Sequence, residues 1–574
     1  MIKNVKDITD LKDKLITHYS KAHEAMRQAR DYYDLKLKNI PSPSVKFASY
    51  TPPTARSIVD KAVDHIIVSN PIITVPPRKE SEKAQEQADK LEKFYVALLK
   101  RIDAQLKEAL FRTAAKNGLL YGMYAIKGPC WDSDAYGNVP KRREGEKYKD
   151  FEKREGSYNT RKRLNLPILA TALDPLTVLV SPDAYPPNYV LEVTTKKGEW
   201  VREKWGVTDI QDGEVDWIEY WDNEQRAFLC DGKFIKELEP NIYGYIPYLV
   251  GYSGLGYASE KPEDEIVGLL NPVFSALEAE ARAKIATDYI VQRHAYPVFW
   301  QNLNINIDLE PGAMNYAPDG YKVSALPLPQ TLPDLYRVQE QLSADIERAT
   351  YSDVIQGIHP QGVSSGYQEA ILVGQARLKF GPMLSSLETQ GSEFLSRVAR
   401  LIEIVNESIT VWAYEKKGNI DETISPEDIQ GYYTVYLQLS AVSPEEADRR
   451  AMLGLNLYKA GTISLRYFLE HYAMIPNASE EIKQMMIELV VKENLKPLAL
   501  AAAQKWGTEE FRQTLESVPS TPPTEGVETT PGVPPRPATP GSAQEQDLAI
   551  RQMQRLGAPG QGAELGSSQE EAFR

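Results

Sequence analysis

Sulfur and histidine are scarce in this chain, and their scarcity removes whole classes of chemistry. The 574 residues include 2 cysteines and 6 histidines. Cys130 and Cys230 cannot supply a disulfide framework or a cysteine metal cluster, so a reducing or cysteine-indifferent compartment is expected. The histidines (His18, His23, His65, His294, His359 and His471) are scattered. Only His18 and His23 are close, and a spacing of five does not share a helix face well. There is no H-E-x-x-H pair and no G-x-x-x-x-G-K-[ST] phosphate loop. Long apolar runs are absent too: no stretch of about 18 uncharged apolar residues occurs, so no transmembrane helix is expected. The segment Met1 to Asp7 is charged and lacks the apolar core of a signal peptide.

Basic excess is also missing. The formal net charge is -14, whereas a conventional nucleic-acid binder is basic because counterion release from phosphates supplies much of its affinity. Such a chain can surround nucleic acid without adhering to it. With 42% hydrophobic and 25% charged residues, a sizeable core is expected.

Periodicity divides the chain. Leu11, Leu15, Ala22, Met26 and Ala29 share one face of a helix predicted over 8–37. A second helix is expected from Thr54 to Ser69, stopped by Asn70-Pro71. A long amphipathic helix is predicted over 80–121 through Leu91, Phe94, Leu98, Ile102, Leu106 and Leu110. From Gly122 to Tyr257 short runs rich in Tyr, Trp, Val and Ile alternate with turn residues. Tyr136-Gly137-Asn138 and Asp231-Gly232-Lys233 read as hairpin turns, and Asp174 to Asp183 as a buried strand.

Helical spacing returns from Pro262 through Ile266, Leu270, Val273, Leu277, Ala281, Ile285 and Tyr289. A compact extended insert covers 295–331, with turn signals at Glu310-Pro311-Gly312 and Pro318-Asp319-Gly320. The next helix carries Leu335, Val338, Leu342, Ile346 and Ala349 on one stripe. A Gly/Pro/Ser link then leads into a long helix predicted from Tyr367 to Tyr414, kinked at Pro382, with Phe394, Val398, Leu401, Val405 and Trp412 at near-heptad spacing. A strand is expected at 432–440. A capped helix begins at Ser443-Pro444-Glu445-Glu446 and ends at Ala460-Gly461. From Pro519 to Pro540 the composition is Pro, Thr and Gly, which cannot bury enough apolar surface to order itself.

Three local signals bear on function. Gly362-Val363-Ser364-Ser365-Gly366 matches the G-x-S-x-G pattern of a hydrolase elbow. That mechanism needs a strand before the serine and a later acid and histidine; here a helix precedes it and only His471 follows. No enzyme, cofactor or metal is therefore expected, and a hydrolase using Ser364 is the weakest alternative. Residues 141–163 hold ten Lys or Arg against five acids. They read either as contacts to phosphates or an acidic partner, or, more simply, as a solvated loop between two strands. Phe299 and Trp300 in the insert are candidate interface anchors, with a local core as the plain reading.

The order of parts (helical base, β-rich domain, helix, short β insert, helix, flexible link, long helix, small helical domain) resembles the portal proteins of tailed double-stranded DNA bacteriophages. The local matches are Asp174-Pro175-Leu176-Thr177-Val178, the segment Gly362 to Phe380 with Gln375, Ala376 and Arg377, and Glu446 to Tyr472 with its Lys459-Ala460-Gly461-Thr462-Ile463-Ser464 turn. The resemblance covers roughly residues 8–505. It implies an α+β, mainly helical subunit that closes into a dodecameric ring at one capsid vertex. In that frame 1–261 is the wing (helical base 1–121, β-rich 122–257), 262–294 and 332–354 are stem helices, and 295–331 is the clip. Residues 355–366 form the tunnel loop, 367–441 the long kinked helix and return strand, 442–505 the crown, and 506–574 a Pro-rich tail.

The implied function is a channel for packaging and ejecting double-stranded DNA. The implied partners are further copies of the chain, the terminase large subunit, a head–tail adaptor, and capsid and scaffolding proteins, with the virion as location. The implied DNA-channel residues are Gln356, Gly357, Ile358, His359, Pro360, Gln361, Gly362, Val363, Ser364 and Ser365. Phosphate contacts would come from Arg337 and Arg348, or Arg377 and Lys379; pairing across subunits with Asp345 or Glu347 is the alternative role. The rival class is a cytoplasmic helical scaffold or adaptor without DNA, which leaves the β insert between two helices unexplained.

Overall fold

The computed structural model describes residues 2–37, 51–66, 71–79, 81–137, 139–295, 299–302, 316, 319–325, 333–350, 378–415, 418–439, 444–473, 475, 478 and 481–489. The chain divides into two compact units, 1–484 and 485–574; the description below concerns the first. It is mixed α+β and mainly helical.

The base is helical, but its helices are shorter than periodicity alone suggests. The predicted 8–37 helix is two, α1 (Val5–His18) and α2 (Ser20–Tyr33). The break falls at Tyr19, with no Gly or Pro nearby. Tyr19 is buried, its hydroxyl donates to the Val180 carbonyl at 3.4 Å, and its ring stacks on His23, so a tertiary contact sets the boundary. After α3 (Thr54–Ile66) and strand β1 (Ile72–Thr74), the predicted 80–121 helix is likewise two, α4 (Glu82–Gln105) and α5 (Leu110–Tyr121). Leu106 turns extended, and the Asp103 carboxylate accepts from Leu110 N at 2.9 Å to cap the second helix. Gly122 then ends α5 at φ +87°, where a Cβ would lie 2.5 Å from Val267 N. Only glycine suits that left-handed, crowded position.

Two antiparallel sheets follow. The first has the order β3-β2-β9, from β2 (Met123–Trp131), β3 (Ile168–Leu173) and β9 (Tyr248–Tyr252). The second is a five-stranded meander of β4 (Val178–Val180), β5 (Tyr189–Lys197), β6 (Glu214–Asp222), β7 (Gln225–Cys230) and β8 (Lys233–Pro240). Asp231-Gly232 makes the expected hairpin, both residues at positive φ. Gly137 is also at positive φ, but its turn lies between β2 and a helix, not between two strands. That helix, α6 (Tyr148–Leu164), replaces the loop expected over the basic segment. The strand expected at 174–183 is a 3-10 turn, Pro175–Thr177, followed by β4. A short helix, α7 (Gly198–Trp205), links β5 to β6.

The helix predicted from Pro262 is interrupted. One turn, α8 (Pro262–Glu265), is followed by irregular chain pinned by Leu269 N to the Leu119 carbonyl at 2.7 Å, and α9 (Phe274–Ala295) begins after Asn271–Val273. Strands β10 (Phe299–Gln301) and β11 (Val323–Ala325) pair antiparallel, and α10 (Pro333–Ala349) follows.

The helix predicted to Tyr414 is α11 (Gly381–Val405). Residues 367–377 of the predicted helix lie outside the described residues. A 3-10 turn, Leu378–Phe380, precedes α11, and Pro382 lies in the first turn of α11, where its missing N–H would be unsatisfied anyway, so the regular helix breaks at the expected proline. Asn406, at φ +55°, stops it. Trp412 and Tyr414 therefore belong to β12 (Ile409–Glu415), which pairs with β13 (Gly418–Ile424). A turn of helix, α12 (Pro426–Ile429), leads to β14 (Tyr436–Gln438), which pairs with β1. Helix α13 (Pro444–Lys459) ends at Gly461, φ +72°. One contiguous core runs from Ile8 through Phe94, Tyr124, Trp217 and Phe394 to Leu439.

Candidate functional site

Helix α9 begins inside the body. Leu277, Ala281 and Ile285 are buried, and so is Glu280, which accepts from Thr54 Oγ1 at 3.1 Å and Lys284 Nζ at 2.5 Å. The Tyr32 hydroxyl donates to Glu278. Beyond Ile285 burial stops: no side chain described between 286 and 302 is buried, and none of α10 is until Ile346. The two helices pack on each other, joined by Gln339 Nε2 donating to Thr287 Oγ1 at 2.6 Å. They form an excursion from the core, carrying the β10–β11 pair between them.

Trp300 faces Ser324 in that pair and is 57% exposed. Asn302 closes it, donating to the Gly320 carbonyl at 3.0 Å and accepting from Lys322 N at 2.8 Å. Val291, Tyr316, Tyr336 and Val338 are exposed as well. Phe299 is the register partner of Ala325; its side chain lies outside the described set.

The cations predicted near the channel divide. Arg337 is exposed and makes no ion pair among the described residues. Arg348 is exposed and lies 3.8 Å from Asp345, three residues earlier on the same helix. Lys379 is half-buried. Its ammonium donates to the Ala349 carbonyl at the C-terminal end of α10, and burial lowers its pKa; it serves as a helix cap. Arg377 and the whole stretch Gln356 to Ser365, including Ser364, lie outside the described residues.

A second constellation was not visible in the sequence. Lys127 and Tyr248 are register partners in one sheet, and Glu192 and Glu219 are register partners in the other. The two pairs face each other: Lys127 Nζ lies 2.7 Å from both Glu192 Oε2 and Glu219 Oε2. The Tyr248 hydroxyl donates to Glu192 at 2.7 Å, and Trp217 Nε1 donates to Glu219 at 3.0 Å. Burial works to raise the Glu219 pKa, but Lys127 and the indole donors outweigh it and hold the carboxyl below its ordinary value. With every charge paired, this is a clamp between sheets. The only sequence signal was a glutamate in mid-strand among Trp and Tyr.

Among the described residues no group of three or more His, Cys, Asp or Glu is arranged to hold a metal ion, and no helix is long and apolar enough to cross a membrane. No family model matches the chain, and no curated protein matches it. Among solved structures it is similar to a protein in the neck of an empty GTA particle, determined with C6 symmetry. The likeness has 12% identity and a TM-score of 0.40, over 76% of this chain and 95% of that one.

Proposed function

We propose that the chain is a portal-type subunit of a tailed double-stranded DNA bacteriophage, a ring-forming channel for DNA at one capsid vertex. The observation that carries this reading is the excursion of α9 and α10 with a two-stranded pair between them. The two helices leave the core with Tyr336 and Val338 exposed on α10 and Trp300 and Tyr316 exposed in the insert between them, apolar side chains that a neighbouring subunit would cover. Closing a ring requires a heterologous interface, with a different patch on each side of the subunit. A helix pair with two solvent-facing flanks supplies both.

In this reading the excursion is stem and clip, 355–366 lines the channel, and terminase, adaptor, capsid and scaffolding proteins dock on the ring. The ring is a dodecamer, and its acidic character lets duplex DNA slide. The test is light-scattering mass at high protein concentration, combined with negative-stain imaging. A ring with a central channel is expected. A monomer or small oligomer at every concentration overturns the reading in favour of an adaptor.

A further inference from the structure

Helix α6 forms without the usual reason. Its 17 residues include no fully buried side chain, so core packing contributes little to it. Its middle, Gly156-Ser157-Tyr158-Asn159-Thr160, consists of poor helix formers. Phe151, Arg154, Tyr158 and Lys162 are half-buried, and spacings of three and four put them on one face, toward the body. Lys162 lies 3.6 Å from Glu407, and Arg163 pairs with Asp421. Trp412 Nε1 donates to the Arg163 carbonyl at 3.1 Å, and Arg101 donates to the Leu164 carbonyl at 2.5 Å. The helix is thus moored along one face and at its C-terminal end.

The opposite face carries Lys149, Lys153, Gly156 and Thr160, all exposed, again three or four residues apart, and Arg163, already paired with Asp421, ends the row. Glu152, exposed and three residues from Lys149, borders that stripe, and the helix as a whole carries six Lys or Arg against three acids. Lys141, Lys147, Lys149, Lys153 and Arg161 make no ion pair among the described residues. Lys147 and Lys149 flank the positive end of the helix dipole, where cations are disfavoured and where Asp150 is the acid of the first turn. An anion along this face would relieve both conflicts.

The residue types select the anion. Lys, Arg, Ser, Thr and Asn are the side chains that contact phosphates. Between its ends the stripe offers no aromatic or aliphatic anchor of the kind a protein partner's hot spot needs. From Lys149 to Arg163 it runs about 21 Å at 1.5 Å per residue, matching about six phosphates of one strand at 3.4 Å each. We propose that the outer face of α6 binds the phosphate backbone of duplex DNA, without reading bases. The proposal stands whether or not the chain closes into a ring.

The test uses relaxed closed-circular duplex DNA, which cannot thread a closed ring, in filter-retention titrations of the full chain across about 50 to 200 mM salt. The variant is Lys147→Gln/Lys149→Gln/Lys153→Gln, with an unchanged thermal midpoint as the check on folding. The expected result is binding that weakens steeply with salt for the natural chain. For the variant, affinity falls by about tenfold or more and the log–log salt slope is shallower by about 2 to 3. Hydrogen exchange across 148–164 slows when DNA is added. Absence of binding by the natural chain, equal binding by the variant, or protection confined to other segments overturns the proposal. A variant that alters subunit mass while DNA binding is unchanged assigns the face to an acidic protein surface instead.

Discussion

His23 shows how one buried side chain sets a pH response. Burial, with help from Arg27, lowers its pKa to about 4, against a smaller opposing effect of Asp174. In the unfolded chain it titrates near its ordinary value, about 6.5. Between these values the unfolded state binds the extra proton, so stability falls as pH drops from about 6.5 to about 4. His23→Phe should flatten that part of a denaturation-versus-pH curve; an unchanged slope would refute the assignment. Gly122 illustrates backbone control. Gly122→Ala places a Cβ 2.5 Å from Val267 N at φ +87°, and equilibrium denaturation should show a loss of about 1–3 kcal/mol.

At the scale of elements, the clamp joins two sheets that share no strand. Lys127 is 22% exposed and its carboxylate partners 4% and 10%, so removing the cation strands two buried charges. Lys127→Met should destabilise by about 3–5 kcal/mol and reverse the local pH trend. In the natural chain the Glu219 pKa is depressed, so its contribution is present above the ordinary carboxylate range and lost as acid protonates it. In the variant, unpaired buried carboxyls take up protons on folding, and stability should rise from pH 7 toward pH 5 by thermal melts. Arg397 links other elements. Buried on α11, it donates to the carbonyls of Ile246 at 2.7 Å and Tyr248 at 3.2 Å, and to Glu393 at 2.8 Å. Arg397→Ala should cost about 2–4 kcal/mol in chemical denaturation, because the carbonyls lose charged donors.

For the whole molecule, the prediction concerns assembly. If exposed Trp300 and Tyr336 lie at subunit contacts, Trp300→Ser/Tyr336→Ser should shift light-scattering mass toward monomer with an unchanged melting temperature. An unchanged mass would remove these side chains from the interface. Helices α9 and α10 were legible beforehand because apolar residues every three or four positions persist there and the insert between them breaks that rhythm, but the late start of α9 at Phe274 was not. The break at Tyr19 was not legible, since no local breaker marks it and the hydroxyl's partner lies 161 residues away.

Composition and periodicity by themselves determined the helical segments, the β-rich middle, the Asp231-Gly232 hairpin and the scarcity of cysteine and histidine, because these depend on residue type and near neighbours. Tertiary structure alone decided where long amphipathic stretches break, that Trp412 lies in a strand, that the basic segment is helical, and that Lys127 meets Glu192 and Glu219. Those outcomes rest on contacts between residues tens or hundreds of positions apart, whose burial and pairing energies outweigh local propensity.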